Sequence, residues 1–306
     1  VFAELMIHRT SVRTGHAAAI YALRPAADGL YSAAADGYLV HWHREDVDLG
    51  RVVATVEGGK FLSFAVTDSG LVAGTLDGGV HWLYPDRPDR NRHWATHRRG
   101  TFAVCRVGEE ELYTAGGDGV LVRWSVPEAR SRESFPLSAN SLRCIAYDPV
   151  HDRLAVGASD GYIYLLSRDG RLIDRQFAHS PSVFTTVFSR DGRVLFAGGR
   201  DAHLSSWSVT ESGLQANIRL PAHLMTVNAL ALHPEGHLLA SASRDKTVKL
   251  WDAHSLDLLK VCEVVRDRGH VNSVNTLCWL DGNTLATAGD DRRVLEWGGR
   301  LVRRGL

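Results

Sequence analysis

Histidine and aspartate recur along this chain at spacings that invite metal or acid–base chemistry, so the first question is which are free to perform any. His41-x-His43 would place two imidazoles on one face of a strand, half of a tetrahedral metal site. No third ligand is evident beside them, so the pair reads as structural or surface histidines, with no metal expected. His93-x-x-x-His97 has helical spacing but falls in an outer strand and its loop, a weaker case still. There is no nucleophile elbow, phosphate-cradling loop, dinucleotide fingerprint or zinc-protease motif, and the Asp-Gly pairs are turn formers. Cys105, Cys144, Cys262 and Cys278 form no C-x-x-C pair, and each lies in an apolar, strand-like stretch. They read as core thiols in a reducing compartment, the cytoplasm. The expectation is no catalytic residue and no cofactor.

The bulk properties narrow the partners. Lys plus Arg equals Asp plus Glu at 35 each, for a formal net charge of zero, which argues against binding nucleic acid or an anionic membrane through bulk charge. No stretch approaches the roughly 18 apolar residues of a membrane span. VFAELMIHRT at the start lacks the basic flank and long apolar run of a secretory leader. With 44% hydrophobic and 23% charged residues the chain can bury a sizeable core, and its 306 residues imply two domains or one large repetitive fold.

The elements that must carry these residues repeat. Small residues, an Asp and an apolar strand ending in Trp recur as SAAADGYLVHW (32–42), AGTLDGGVHW (73–82), TAGGDGVLVRW (114–124) and VGASDGYIYLL (156–166). The pattern continues as AGGRDAHLSSW (197–207), SASRDKTVKLW (241–251) and TAGDDRRVLEW (287–297). The turn aspartates Asp36, Asp77, Asp118, Asp160, Asp201, Asp245 and Asp291 lie 41 to 46 residues apart. Upstream, a His precedes an apolar residue by four in His16–Ile20, His179–Val183, His223–Val227 and His270–Val274. Short apolar alternations broken by Asp-Gly and Glu-Gly turns predict antiparallel meanders of about four strands per repeat, the blade of a propeller.

On these residues the whole chain, 1–306, resembles the WD-repeat (WD40) family. Only blade six keeps the literal Trp251-Asp252 pair. The resemblance implies an all-β fold, a single seven-bladed β-propeller of four-stranded antiparallel blades. It also implies a buried polar relay in each blade: His, Ser or Thr, Asp, Trp. Mapped here, the relays are His16, Ser32, Asp36 and Trp42; His97, Thr114, Asp118 and Trp124; His223, Ser241, Asp245 and Trp251; and His270, Thr287, Asp291 and Trp297. Blade five keeps His179, Asp201 and Trp207 but has Ala197 at the Ser position. Blade two lacks the His, and blade four lacks both His and Trp, ending in Leu166. These three blades are expected to lean on apolar packing instead. Few residues follow Trp297, so a segment within Glu4–Arg13 is expected to close the ring as the outer strand of blade seven, against Val294–Trp297.

The resemblance further implies a non-catalytic scaffold that docks a protein or peptide on the upper face. Contact positions in that family flank the first apolar residue of each inner strand or directly precede the turn Asp. They fall here on Tyr21, Lys60, Leu62, Arg143, Phe184, Arg200, Asn228, Arg244, Asn275 and Asp290, with blade three contributing only the low-relief Thr101, Ala103 and Gly117. Aromatic plus arginine is an anchor composition, and three arginines suit an acidic segment. The competing reading is a propeller hydrolase or lactonase with a metal in the central channel. The small inner-strand residues Ala19, Ala35 and Ala103 argue against it. The residue before each Trp position, polar in His41, His81, Arg123, Ser206 and Glu296, is expected to pair between blades or reach water.

Overall fold

The computed structural model describes residues 4–46 and 49–302. Their strands form seven four-stranded antiparallel sheets. The inner strands are Ile20–Ala26, Phe61–Thr67, Thr101–Val107, Leu142–Asp148, Val183–Phe188, Val227–Leu232 and Val274–Trp279. Each touches the inner strand of the blade before and after, and the last touches the first, so they form a closed ring around a channel. Among the described residues helix is limited to the single turns Pro88–Arg90 and Val264–Asp267. None is long and apolar enough to cross a membrane.

Strand alternation supplies two apolar faces per blade, and both are used between blades. Ile20, Leu30, Val40 and Trp42 of blade one pack on Ala286, Ala288 and Val294 of blade seven, while Ala22, Ala33 and Leu39 pack on Phe61, Phe64 and Ala73 of blade two. The six repeat tryptophans are at most 7% exposed.

The tight turn after each second strand needs a left-handed residue. Gly37, Gly78, Gly119 and Gly161 supply it with φ between 80° and 96°. In blades five to seven Ala202, Lys246 and Arg292 take φ of 63° to 74° instead. The preceding Asp makes this tolerable, because in all seven blades one carboxylate oxygen accepts the backbone N–H two residues on.

The N-terminal strand closes the ring in blade seven. Glu4–Thr14 lies antiparallel to Arg293–Val302, with Arg9 opposite Trp297 and Val12 opposite Leu295. Arg13, 2% exposed, fastens this strand to both neighbours: its Nε donates to Glu296 at 2.7 Å, and Nη1 donates to the carbonyls of His43 and Asp46 at 2.9 and 3.0 Å.

Candidate partner-binding face

The relay residues form one linear chain of hydrogen bonds per blade. In blade one Trp42 Nε1 donates to Ser32 Oγ at 2.8 Å, Ser32 Oγ lies 2.7 Å from His16 Nε2, and His16 Nδ1 lies 2.8 Å from Asp36. Indole nitrogen only donates, so the hydroxyl donates onward to Nε2 and Nδ1–H donates to the carboxylate. Blades three, six and seven repeat the chain through His97, His223 and His270. Burial lowers the pKa of His97 and His223, with Asp118 and Asp245 opposing it. Burial acts to raise Asp245 and Asp291, but their histidine partners outweigh it and hold both below the usual carboxylate range.

Two of the divergent blades correct the expectation of purely apolar packing. In blade five Ser205, directly opposite Ala197 across the ladder, provides the hydroxyl: His179 Nε2 lies 2.9 Å from Ser205 Oγ, and Trp207 Nε1 donates to it at 3.0 Å. In blade four Ser138 and Tyr164 both donate to Asp160, at 2.7 and 2.6 Å. Ser205 and Tyr164 hold the same position, two residues before Trp207 and Leu166. A hydroxyl entering from the facing strand reaches the same space. In blade two Thr75 donates to the turn Asp77 at 2.5 Å and lies 3.2 Å from His81 Nε2, but the Trp is left out of the polar chain: Trp82 Nε1 is buried without a partner among the described residues, and its ring lies 6.3 Å from that of Trp124.

The polar residues before the Trp positions also differ from expectation, because most pair within their own blade. Glu296 accepts from Arg13, Arg123 donates to Glu111, Ser206 accepts the Ile218 N–H, His81 meets Thr75 and His41 meets Asp28. Glu111 extends this between blades, accepting also from Arg168 of blade four at 3.1 Å.

The upper rim is organised by a device that residue spacing did not reveal. Every inner strand carries a β-bulge after its first ladder residue. The extra residue is Tyr21, Leu62, Phe102, Arg143, Phe184, Asn228 or Asn275 in successive blades. A bulge re-aims its side chain out of the alternation, here at the rim. Beside it, the residue before each turn Asp bonds its N–H back to the carbonyl just upstream of the inner strand, as Arg200 does to Ser182 and Arg244 to Thr226. Blade three therefore contributes Phe102, not a low-relief sector: Thr101, wholly buried, is its first ladder residue, one position earlier than the apolar pattern suggests.

Around the rim the chemistry is uneven. Asn275 donates to the Ile20 carbonyl of blade one and to Asp290, and Asn228 donates to Ser273 and the Val274 carbonyl of blade seven, so both are committed to neighbouring blades. Burial and the nearby Asp290 charge raise the pKa of the Tyr21 phenol. On the opposite arc Arg143 is half-buried, its guanidinium 4.0 Å from the Phe102 ring centre and 4.7 Å from that of Phe184. Burial lowers its pKa, and the neighbouring Arg200 charge adds to that. Arg200 and Arg244 are exposed, and among the described residues no carboxylate pairs with any of these three guanidinium groups. Lys60 is exposed and Leu62 partly so in blade two.

Two His–carboxylate groups outside the relay bring three ligand atoms together: Asp28 with His41 and His43, and His233 with Glu235 and His237. The first corrects the reading that His41-x-His43 has no third ligand. Asp28 was hidden because it lies 13 residues from His41 in sequence and beside it only through the ladder.

The family model for the WD domain, G-beta repeat matches residues 170–208, 215–252 and 261–297. The chain is 25% identical over 278 residues to WD repeat-containing protein 55 of Bos taurus, covering 83% of this chain and 69% of that protein. It is 23% identical over 296 residues to actin-interacting protein 1 of Caenorhabditis elegans, covering 94% of this chain and 47% of that protein. Kinesin-like protein KIF21A of Homo sapiens is 26% identical over 202 residues, 63% of this chain and 12% of that protein. The chain thus spans less than half the length of the latter two relatives.

Proposed function

We propose, from the premise that this chain belongs to the WD-repeat family of β-propellers, that it is a non-catalytic scaffold docking a protein or peptide partner on its upper face. The observation that carries this reading is the arc of blades four to six, where Arg143, Arg200 and Arg244 share one rim with no carboxylate partner among the described residues. Phe102 and Phe184 clamp Arg143 from both sides, so its guanidinium is ordered before any ligand arrives. The fitting ligand is an acidic segment with an aromatic or aliphatic anchor to cover the Phe184 ring. A relative named for interacting with actin supports a protein partner. Cys105, Cys144, Cys262 and Cys278 are free thiols, in keeping with a cytoplasmic setting.

The channel environment weighs against the hydrolase reading. Arg24, Cys105 and Cys278 lie on the inner strands of blades one, three and seven, and the half-buried Arg24 guanidinium packs over the Phe64 ring of blade two, 5.6 Å from its centre. A cation beside it would meet a fixed positive charge. Burial pushes the Cys105 thiol to about 11 and the Cys278 thiol to about 12, so neither is an activated nucleophile.

The test is selection of binders from a random peptide library, followed by affinity measurement with Arg200→Glu/Arg244→Glu. Arg143 stays intact because reversing a half-buried, ring-clamped charge would disturb the fold. Enrichment of Asp and Glu around an apolar anchor, lost affinity in the variant and an unchanged melting temperature are expected. Selected peptides without acidic bias, or equal affinity for the variant, would refute the reading.

A further inference from the structure

We propose that Asp28, His41 and His43 form a binding site for a Zn2+-class divalent cation at the corner of blade one away from the rim. His41 and His43 alternate onto one face of the strand Tyr38–His43. The neighbouring strand Gly29–Ala34 is paired with Gly29 opposite His43 and Tyr31 opposite His41. Asp28 therefore arrives beside both imidazoles, its carbonyl accepting the Arg44 N–H at 2.7 Å. Glycine at 29 makes this closure feasible, since a Cβ there would stand 1.9 Å from the Trp42 carbonyl oxygen.

The resulting geometry is close to a coordination sphere. Asp28 Oδ1 lies 3.0 Å from His41 Nε2, and Oδ2 lies 3.1 Å from His43 Nδ1. The ring centres are 4.2 Å apart. Metal–ligand bonds of about 2.0–2.1 Å give a tetrahedral edge of about 3.3 Å; the two oxygen–nitrogen separations fall a few tenths of an ångström short of it, and one ligand atom from each residue lies within 4.8 Å of the other two. On binding, the ring protons facing Asp28 move to His41 Nδ1 and His43 Nε2, freeing the inward nitrogens as ligands.

The site is also held in place. Tyr31 stacks on His41 at 4.4 Å, and the buried Arg13 grips the His43 carbonyl. One side stays open, because the His43 and Asp28 side chains are 45% and 57% exposed. Two imidazoles and one carboxylate, with a fourth position for water, suit Zn2+ over Ca2+ or Mg2+. Arg51, opposite His41 on the outer strand, opposes a cation and favours exchangeable rather than permanent binding.

The second cluster provides an internal contrast. His233 Nδ1 accepts the Glu235 N–H at 3.1 Å, Nε2 donates to the Gly282 carbonyl at 2.9 Å, and the ring packs edge-on against Trp279. Both nitrogens of that imidazole are spent on the fold.

The experiment uses the full chain freed of any purification tag. Titration with Zn2+ followed by calorimetry, and with Co2+ followed by its visible d–d bands, should show one saturable site with tetrahedral Co2+ intensity. Asp28→Asn and His43→Gln, both at exposed side chains and so expected to fold, should each weaken binding by more than about tenfold. His237→Gln should leave it unchanged. Absence of saturable binding, full affinity in Asp28→Asn and His43→Gln, or loss in His237→Gln would overturn the assignment.

Discussion

Replacing Ser205 with Val tests whether blade five depends on a hydroxyl supplied from the facing strand. In blades one, three and seven the second strand carries the hydroxyl and the residue opposite is apolar: Ser32 faces Val40, Thr114 faces Val122 and Thr287 faces Leu295. Blade five inverts the pair, with Ala197 facing Ser205. Ser205→Val strands the Trp207 indole N–H, which donates to the hydroxyl, and His179 Nε2, which accepts from it, both within a buried site. Each orphaned group costs about 1–3 kcal/mol, and a bulkier γ-methyl excludes a compensating water, so about 2–6 kcal/mol in total is expected. For a chain of this length that corresponds to a fall of roughly 3–9 °C in melting temperature. The decisive assay is the rescue. Adding Ala197→Ser recreates the arrangement of blade one and should recover most of the loss in calorimetry or urea unfolding. A single variant as stable as wild type, or a double variant no better than the single, would show that the cross-ladder hydroxyl is incidental.

Other outcomes follow from the same geometry. Lys246→Gly relieves a left-handed non-glycine turn and should raise the urea midpoint by about 0.5 kcal/mol equivalent, the relief being partly offset by a more flexible unfolded chain; a lower midpoint would count against strain at that turn. Arg13→Met abandons Glu296 and the carbonyls of His43 and Asp46, and should destabilise by about 3 kcal/mol in chemical denaturation, whereas an unaltered midpoint would show that the closing strand needs no such staple. His81 is pushed down to about 4 by burial, then by His93, with Asp77 opposing. The unfolded chain takes up that proton first as pH falls from about 6.5 to about 4, so stability drops across this window. His81→Gln should flatten the pH dependence of the melting temperature there, and an unchanged slope would exclude His81 as its source.

What the sequence made legible was whatever repeats in register. Seven turn aspartates at near-constant period, each followed by a strand ending in Trp or Leu166, determine blade number, strand order and the relay. Ring closure rests on Glu4–Thr14 pairing with Arg293–Val302. The features that escaped are those in which proximity comes from pairing between strands. Ser205 and Tyr164 do a job that the repeat assigns to a different strand, so scanning one column of the repeat finds Ala197 and stops. Asp28 reaches His43 through the ladder and its turn. Phe102 escaped for a subtler reason. Its neighbour Thr101 is wholly buried although polar, because its hydroxyl donates to the Gly79 carbonyl of blade two, so the first apolar residue is not the first ladder residue.

Relay and rim are physically coupled through adjacent residues. Arg200 and Asp201, like Arg244 and Asp245, are consecutive residues at one turn, and the Asp is largely enclosed while the Arg is exposed. Burial acts to raise Asp201, but bonds from His179, the His203 N–H and Arg219 outweigh it and hold the carboxyl down to about 2, charged at any physiological pH. That anchored carboxylate stiffens the turn whose leading residue projects the guanidinium, so each rim arginine would need little ordering to meet the acidic segment proposed above. The residue before the Asp is meanwhile free of the relay's chemistry: it is Ala35, Leu76, Gly117, Ser159, Arg200, Arg244 and Asp290 in successive blades. Its backbone contribution is the same N–H to carbonyl bond in all seven. A bond made by the main chain leaves the side chain unspecified. The fold can therefore hold its turns constant while the rim varies from blade to blade, which is what a docking surface on a repetitive scaffold requires.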